Sequence, residues 1–148
     1  MDNLQQHYKQ SRIMVSWASF RSLPGWVQFW VGCILVPVNA ASFAMLDTGS
    51  GRAIAAAALL VVATNVPIML WARGMTKLMA VPHLLIWGPL QWFLLSKITQ
   101  ISGADAMPPL ELIYVSAVLL VNGISLAFDA LDSWRWLKGD RAVPGMRV

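Results

Sequence analysis

The residues able to do chemistry in this chain are few, and they sit inside long apolar runs: Asn39, Asn65, His83, Asn122, Ser125 and Asp129. Amide, imidazole and carboxylate groups are costly in such surroundings; an Asp near the centre of a membrane helix costs about 2.5–3.5 kcal/mol. Each must find a partner or mark a polar pathway. Spacing connects several of them. Glu111, Val115, Val118, Asn122, Ser125, Asp129 and Asp132 follow one another in steps of four and three, which is one continuous helical face. That face must point into a bundle or at a partner.

His83 and Asp129 are expected to meet. His83 lies about one turn into its apolar run and Asp129 about one turn before the end of the next, so a short hairpin brings them to the same depth. An imidazole–carboxylate pair there reads first as a lock on hairpin register, and second as a proton-accepting or ligand-binding pair. Asn39 and Asn65 each lie two residues from a proline, Pro37 and Pro67, while Pro82 and Pro89 interrupt the third run. Proline frees a backbone carbonyl that an amide can satisfy. These carboxamides read as glue between helices, with a hydrated pathway of broken helices as the alternative. Lys97 and Glu111 are expected to face each other near the opposite end of the same hairpin, in an exposed pair worth under about 1 kcal/mol.

Signatures of catalysis are missing. Asp47-Thr48-Gly49-Ser50 copies the aspartic-protease tetrapeptide, but that chemistry needs two carboxylates on a β-scaffold, and no β-pattern flanks it. There is no Gly-x-Ser-x-Gly elbow, His-Glu-x-x-His pair or Gly-rich phosphate loop. Of the two histidines only His83 lies in an apolar run, so a bis-His haem is not expected; nor does a mid-run lysine offer a retinal Schiff base. Cys33 is the sole cysteine, which excludes an intramolecular disulfide. No metal and no cofactor are expected.

The elements that position these groups follow from composition. Of 148 residues, 57% are hydrophobic and 12% charged, against about 25% charged in a soluble domain. With eight Trp, a soluble domain of this size could not bury so much apolar surface. Lipid must be the main solvent. Four stretches reach the roughly 20 residues that a bilayer span requires: about 26–46, 53–72, 78–98 and 109–130, the last running on beyond the membrane. Ser22 is a possible N-cap before the first span, Asp47–Gly51 and Arg73–Lys77 read as tight turns, and Pro108-Pro109 opens the fourth span. Connections so short force an up-down-up-down order.

Orientation follows from the basic residues. Lys9, Arg12, Arg21, Arg73, Lys77, Arg135, Lys138, Arg141 and Arg147 lie in the N-terminal segment, the second loop and the C-terminal segment. Only Arg52 and Lys97 lie on the other side, so both termini are expected in the cytoplasm. Trp26, Trp30, Trp71, Trp134 and Trp136 fall near that inner interface; Trp87 and Trp92 lie deeper and need partners for their N–H groups. Before the first span, Lys9, Arg12, Ser16 and Ser19 share one helical face, with Leu4, Tyr8, Val15 and Ala18 on another and Ile13, Trp17 and Phe20 alongside. This pattern suits a short amphipathic helix on the membrane surface.

The chain therefore reads as an all-α integral membrane protein: a four-transmembrane-helix up-down bundle (24–138) behind an N-terminal amphipathic interfacial segment (1–23), with a basic cytoplasmic tail (139–148). The net charge of +4 is dispersed, so no nucleic acid is expected as partner. The partners expected are membrane lipid and other membrane subunits or copies of the chain, in a bacterial inner membrane. Function reads as a non-catalytic subunit or scaffold. A small-solute, ion or proton transporter or channel subunit is the alternative, and a membrane enzyme on a lipid-phase substrate the third reading. The alanines Ala53 and Ala55–Ala58 suit close approach of a partner helix.

Overall fold

The computed structural model describes residues 11–99 and 107–146. It is all-helical: α1 (Arg12–Arg21), α2 (Gly25–Ala44), α3 (Gly49–Ala72), α4 (Lys77–Thr99) and α5 (Pro109–Leu137). The last four are long and apolar enough to cross a membrane. Each packs on the next in sequence, and α5 returns to α2, closing a four-helix ring. The protein is thus a multi-pass bundle preceded by a short helix.

Local chemistry explains the ends. Ser11 caps α1, its hydroxyl accepting from the Met14 amide at 3.3 Å. Ser22 does not cap α2, as the sequence suggested. It closes α1 instead, its hydroxyl donating to the Ser19 carbonyl at 2.6 Å, and Pro24 stands at the start of α2 without a side-chain cap. Thr48 caps α3, accepting from the Gly51 amide at 2.9 Å, so the helix starts at Gly49 rather than Ala53. Gly51 is obligatory there: a Cβ would collide with the Met45 carbonyl where α2 ends against α3. Arg73 ends α3 in the left-handed region (φ 56°), and Thr76 caps α4 through the Leu78 amide at 3.3 Å.

The first span is irregular. Residues Gly25–Phe29 are α-helical, Trp30–Leu35 form a wider π turn, and Val36–Ala40 are α-helical again before a 3₁₀ end at Ala41–Ala44. Pro37 cannot donate to the preceding turn, and the widened register beside it accommodates the missing bond. Asn39 adds a side-chain donor there, its amide reaching the Leu35 carbonyl at 2.9 Å.

The core consists of Leu35, Ile54, Ala57, Val61, Trp87, Leu90, Leu94, Val115 and Val118. Outside it, Leu59, Leu85, Trp92, Ile113 and Leu120 are exposed over more than half their surface. Water would penalise such a surface heavily; hydrocarbon does not. Ala55 and Ala57 are buried within the bundle, so part of the alanine run serves packing in a single copy.

α1 faces opposite to the simplest reading of its pattern. Ser16 and Ser19 are buried against the bundle, while Ile13, Met14 and Trp17 point outward. The small polar residues of α1 thus meet protein, and its larger apolar residues are left on the outer surface. Residues 1–10, with the proposed partners Leu4, Tyr8 and Lys9, lie outside the described residues. Ser19 also joins three segments. Its hydroxyl donates to the Pro144 carbonyl at 2.7 Å and accepts from the Met75 amide at 3.0 Å. Both described ends of the chain therefore meet at one end of the bundle, called here the terminal end.

Candidate intramembrane polar site

α3, α4 and α5 bring Asn65, His83 and Asp129 together near the terminal end. The His83 Nδ1 lies 3.1 and 3.2 Å from the two Asp129 carboxylate oxygens. A carboxylate only accepts, so Nδ1 carries the proton and donates. In the neutral ring Nε2 is then an acceptor, and the Asn65 Nδ2 donates to it at 2.8 Å. Trp87, one turn further along α4, stacks on the imidazole with centroids 4.4 Å apart and planes within 9°. The pair is mostly withdrawn from the surface, with side-chain exposures of 18% for His83 and 16% for Asp129.

A second polar cluster lies deeper. Asn39 and Asn122 exchange two hydrogen bonds: Nδ2 of Asn39 to Oδ1 of Asn122 at 2.8 Å, and the reverse at 3.0 Å. The ring of two carboxamides ties α2 to α5, and Asn122 is fully buried. Ser125, one turn nearer the terminal end, accepts from the Trp30 indole at 3.1 Å. The Trp30 N–H, expected to be kept wet near the interface, is thus satisfied by protein. Tyr114 extends the α2–α5 contact by donating to the Val38 carbonyl at 3.0 Å.

The candidate residues form two clusters, not one. Asn65, His83 and Asp129 make the first; Asn39 and Asn122 make the second, with Ser125 and Trp30 beside it. The inward face of α5 runs through Glu111, Val115, Val118, Asn122 and Ser125, all buried, and reaches Asp129. Beyond it Ser133 is still buried, whereas Asp132 faces Arg135 at 3.7 Å with 43% of its side chain exposed.

Lys97 and Glu111 do not pair. The Lys97 ammonium lies 5.5 Å from the centre of the Phe93 ring, one turn back on its own helix, and beside Gly49 at the start of α3. Glu111 turns into the bundle and is buried, as the phase of α5 dictates. Asp47-Thr48-Gly49-Ser50 closes a helical hairpin, with its Thr hydroxyl committed to capping.

Two residues of the site were not assigned to it from sequence, although Trp87 was expected to lie deep and to need a partner for its N–H. Trp87 is 3% exposed and forms one wall of the His83 site, and Gln91, a turn beyond, donates to the Leu119 carbonyl at 2.8 Å. The signal for both was present: His83, Trp87 and Gln91 recur every four residues along α4. Among the described residues, no group of three or more His, Cys, Asp or Glu side chains could hold a metal ion. At the terminal end, outside the spans, Asp140 meets the Lys77 ammonium at 3.1 Å, and that hydrogen bond holds its carboxyl below the usual carboxylate range.

No protein-family model matches this chain, and no curated protein or solved structure is significantly similar to it.

Proposed function

We propose that this chain is a non-catalytic membrane subunit that packs with copies of itself or with other membrane proteins, in a bacterial inner membrane with both termini cytoplasmic. The observation that carries this reading is how the intramembrane polar groups are used. They bind one another across helices, Asn39 to Asn122 and Asn65 to His83 to Asp129, and so hold the bundle together. Beyond Asn122 the column meets a dry layer: Ile54, Leu94, Val115 and Val118 are all 0% exposed. Ligation of helices needs no continuous polar path; conduction does.

Support for a partner comes from Trp92. It is 76% exposed, seven residues before the end of α4, so its indole lies about 10 Å inside that end. An indole N–H has little to bond in hydrocarbon, and a neighbouring protein would supply an acceptor. Purification in mild detergent tests the proposal. A stable homo-oligomer or larger assembly that weakens in the Trp92→Phe variant supports it. A monomer that catalyses solute flux in proteoliposomes refutes it in favour of a transporter or channel subunit. That second reading draws on the π turn of α2 and on the partial exposure of His83 and Asp129.

A further inference from the structure

Three buried polar atoms in the α3–α4–α5 interior find no hydrogen-bond partner within the described protein: Asn65 Oδ1, Trp87 Nε1 and Gln91 Oε1. They are not scattered. Asn65 holds His83 through the other atom of its amide, Trp87 stacks on the same imidazole, and Gln91 follows Trp87 by one turn. At 1.5 Å per residue, His83, Trp87 and Gln91 mark a line about 12 Å long. Two further atoms of this kind, Ser50 Oγ and Ser133 Oγ, belong to opposite ends of the bundle.

Rotation does not satisfy these atoms. Turning the Asn65 amide over would place its oxygen against an acceptor, since Asp129 fixes the proton on Nδ1. Gln91 is held by its bond to Leu119, with Gly123 so close that a Cβ there would stand 3.1 Å from its amide nitrogen. Unsatisfied groups of this kind are costly in a protein interior.

The chemistry wanted is specific. Two acceptors and one donor in a row need a species that both donates and accepts, repeated over a short distance. Water does this, and buried waters commonly make about three hydrogen bonds to groups of this sort. A larger ligand would have to displace partners from an imidazole whose two nitrogens are both engaged. His83 and Asp129 keep some exposure, and on α4 and α5 both lie nearer the terminal end of the bundle. The opposite direction is closed by the dry layer of Ile54, Leu94, Val115 and Val118.

We propose that Asn65, Trp87 and Gln91 line a short file of internal water that enters beside His83 and Asp129 and ends beneath that layer. The file is blind. It hydrates the imidazole–carboxylate pair from the terminal end alone, and it serves the three polar atoms without opening a path across the membrane.

The test uses the full chain in lipid. In water-edited solid-state NMR of the ¹⁵N-Trp-labelled protein, magnetisation from water should reach the Trp87 indole at least threefold faster than that of Trp92 on the outer surface of the bundle. Loss of the peak in Trp87→Phe assigns it, and the half-exposed Trp134 gives the fully wet limit. A Trp87 signal as slow as that of Trp92 overturns the proposal.

Discussion

Removing the carboxylate charge of Asp129 probes the polar site most directly. Asp129→Asn keeps the shape and an acceptor for the Nδ1 proton, but replaces a charged acceptor by a neutral one in the contact at 3.1 Å. His83→Ala does more: it strands the Asp129 carboxylate and the Asn65 amide and removes the ring against Trp87. Leaving a buried carboxylate without its hydrogen-bond donor costs about 3 kcal/mol or more. Here the side chains keep 18% and 16% exposure, which moves the expectation to that figure or just below it. We expect about 2–3 kcal/mol for His83→Ala and about 1–2 kcal/mol for Asp129→Asn. The double variant should be less damaging than the sum by about 1–2 kcal/mol, because once one partner is gone the second change removes little more. Reversible unfolding by steric trapping in bicelles measures these differences at equilibrium, which a thermal scan of a membrane protein does not. Additivity within about 0.5 kcal/mol would refute direct coupling between the two side chains.

Asn122→Leu should weaken the α2–α5 contact by about 1–2 kcal/mol, since it loses both carboxamide bonds and leaves Asn39 half-satisfied; adding Asn39→Leu should recover part of that loss in the same unfolding assay. Reporter fusions after Gly49 and Gly103 should read external, and those after Gly74 and at the C-terminus internal; an external signal after Gly74 would reverse the orientation. The lowered carboxyl of Asp140 has a defined pH signature. Its folded value lies below the ordinary carboxylate value of about 3.9, so the unfolded chain binds more protons between the two. The Lys77–Asp140 contact should therefore contribute fully above about pH 5 and fade as acid drives the pH down through the folded value. Asp140→Asn should flatten the pH dependence of stability in that acid window, and an unchanged slope would exclude the contribution.

The sequence by itself determined the solvent, the number of spans and the depth of each polar group. A residue's depth follows from counting along a helix between the turns at Asp47–Gly51 and Arg73–Lys77 and from Pro109, although the Thr48 cap starts α3 four residues before the count from sequence did. The meeting of His83 with Asp129 was legible for the same reason: neighbouring helices joined by a short connection bring equal depths together. Rotation about the helix axis was legible for α5 alone, whose steps of four and three put Glu111 through Asp129 on one inward face. Whether Ser16 and Ser19 meet water or protein, and where Trp87 lays its ring, are questions of azimuth that no such repeat answered. Nor could counting show that Asn39 would bond Asn122, because α2 and α5 become neighbours only when the ring of four closes. Hydropathy acts along the membrane normal and sets depth one helix at a time; azimuth and partner choice depend on packing and hydrogen bonding among all the helices at once, and those exist only in the tertiary structure.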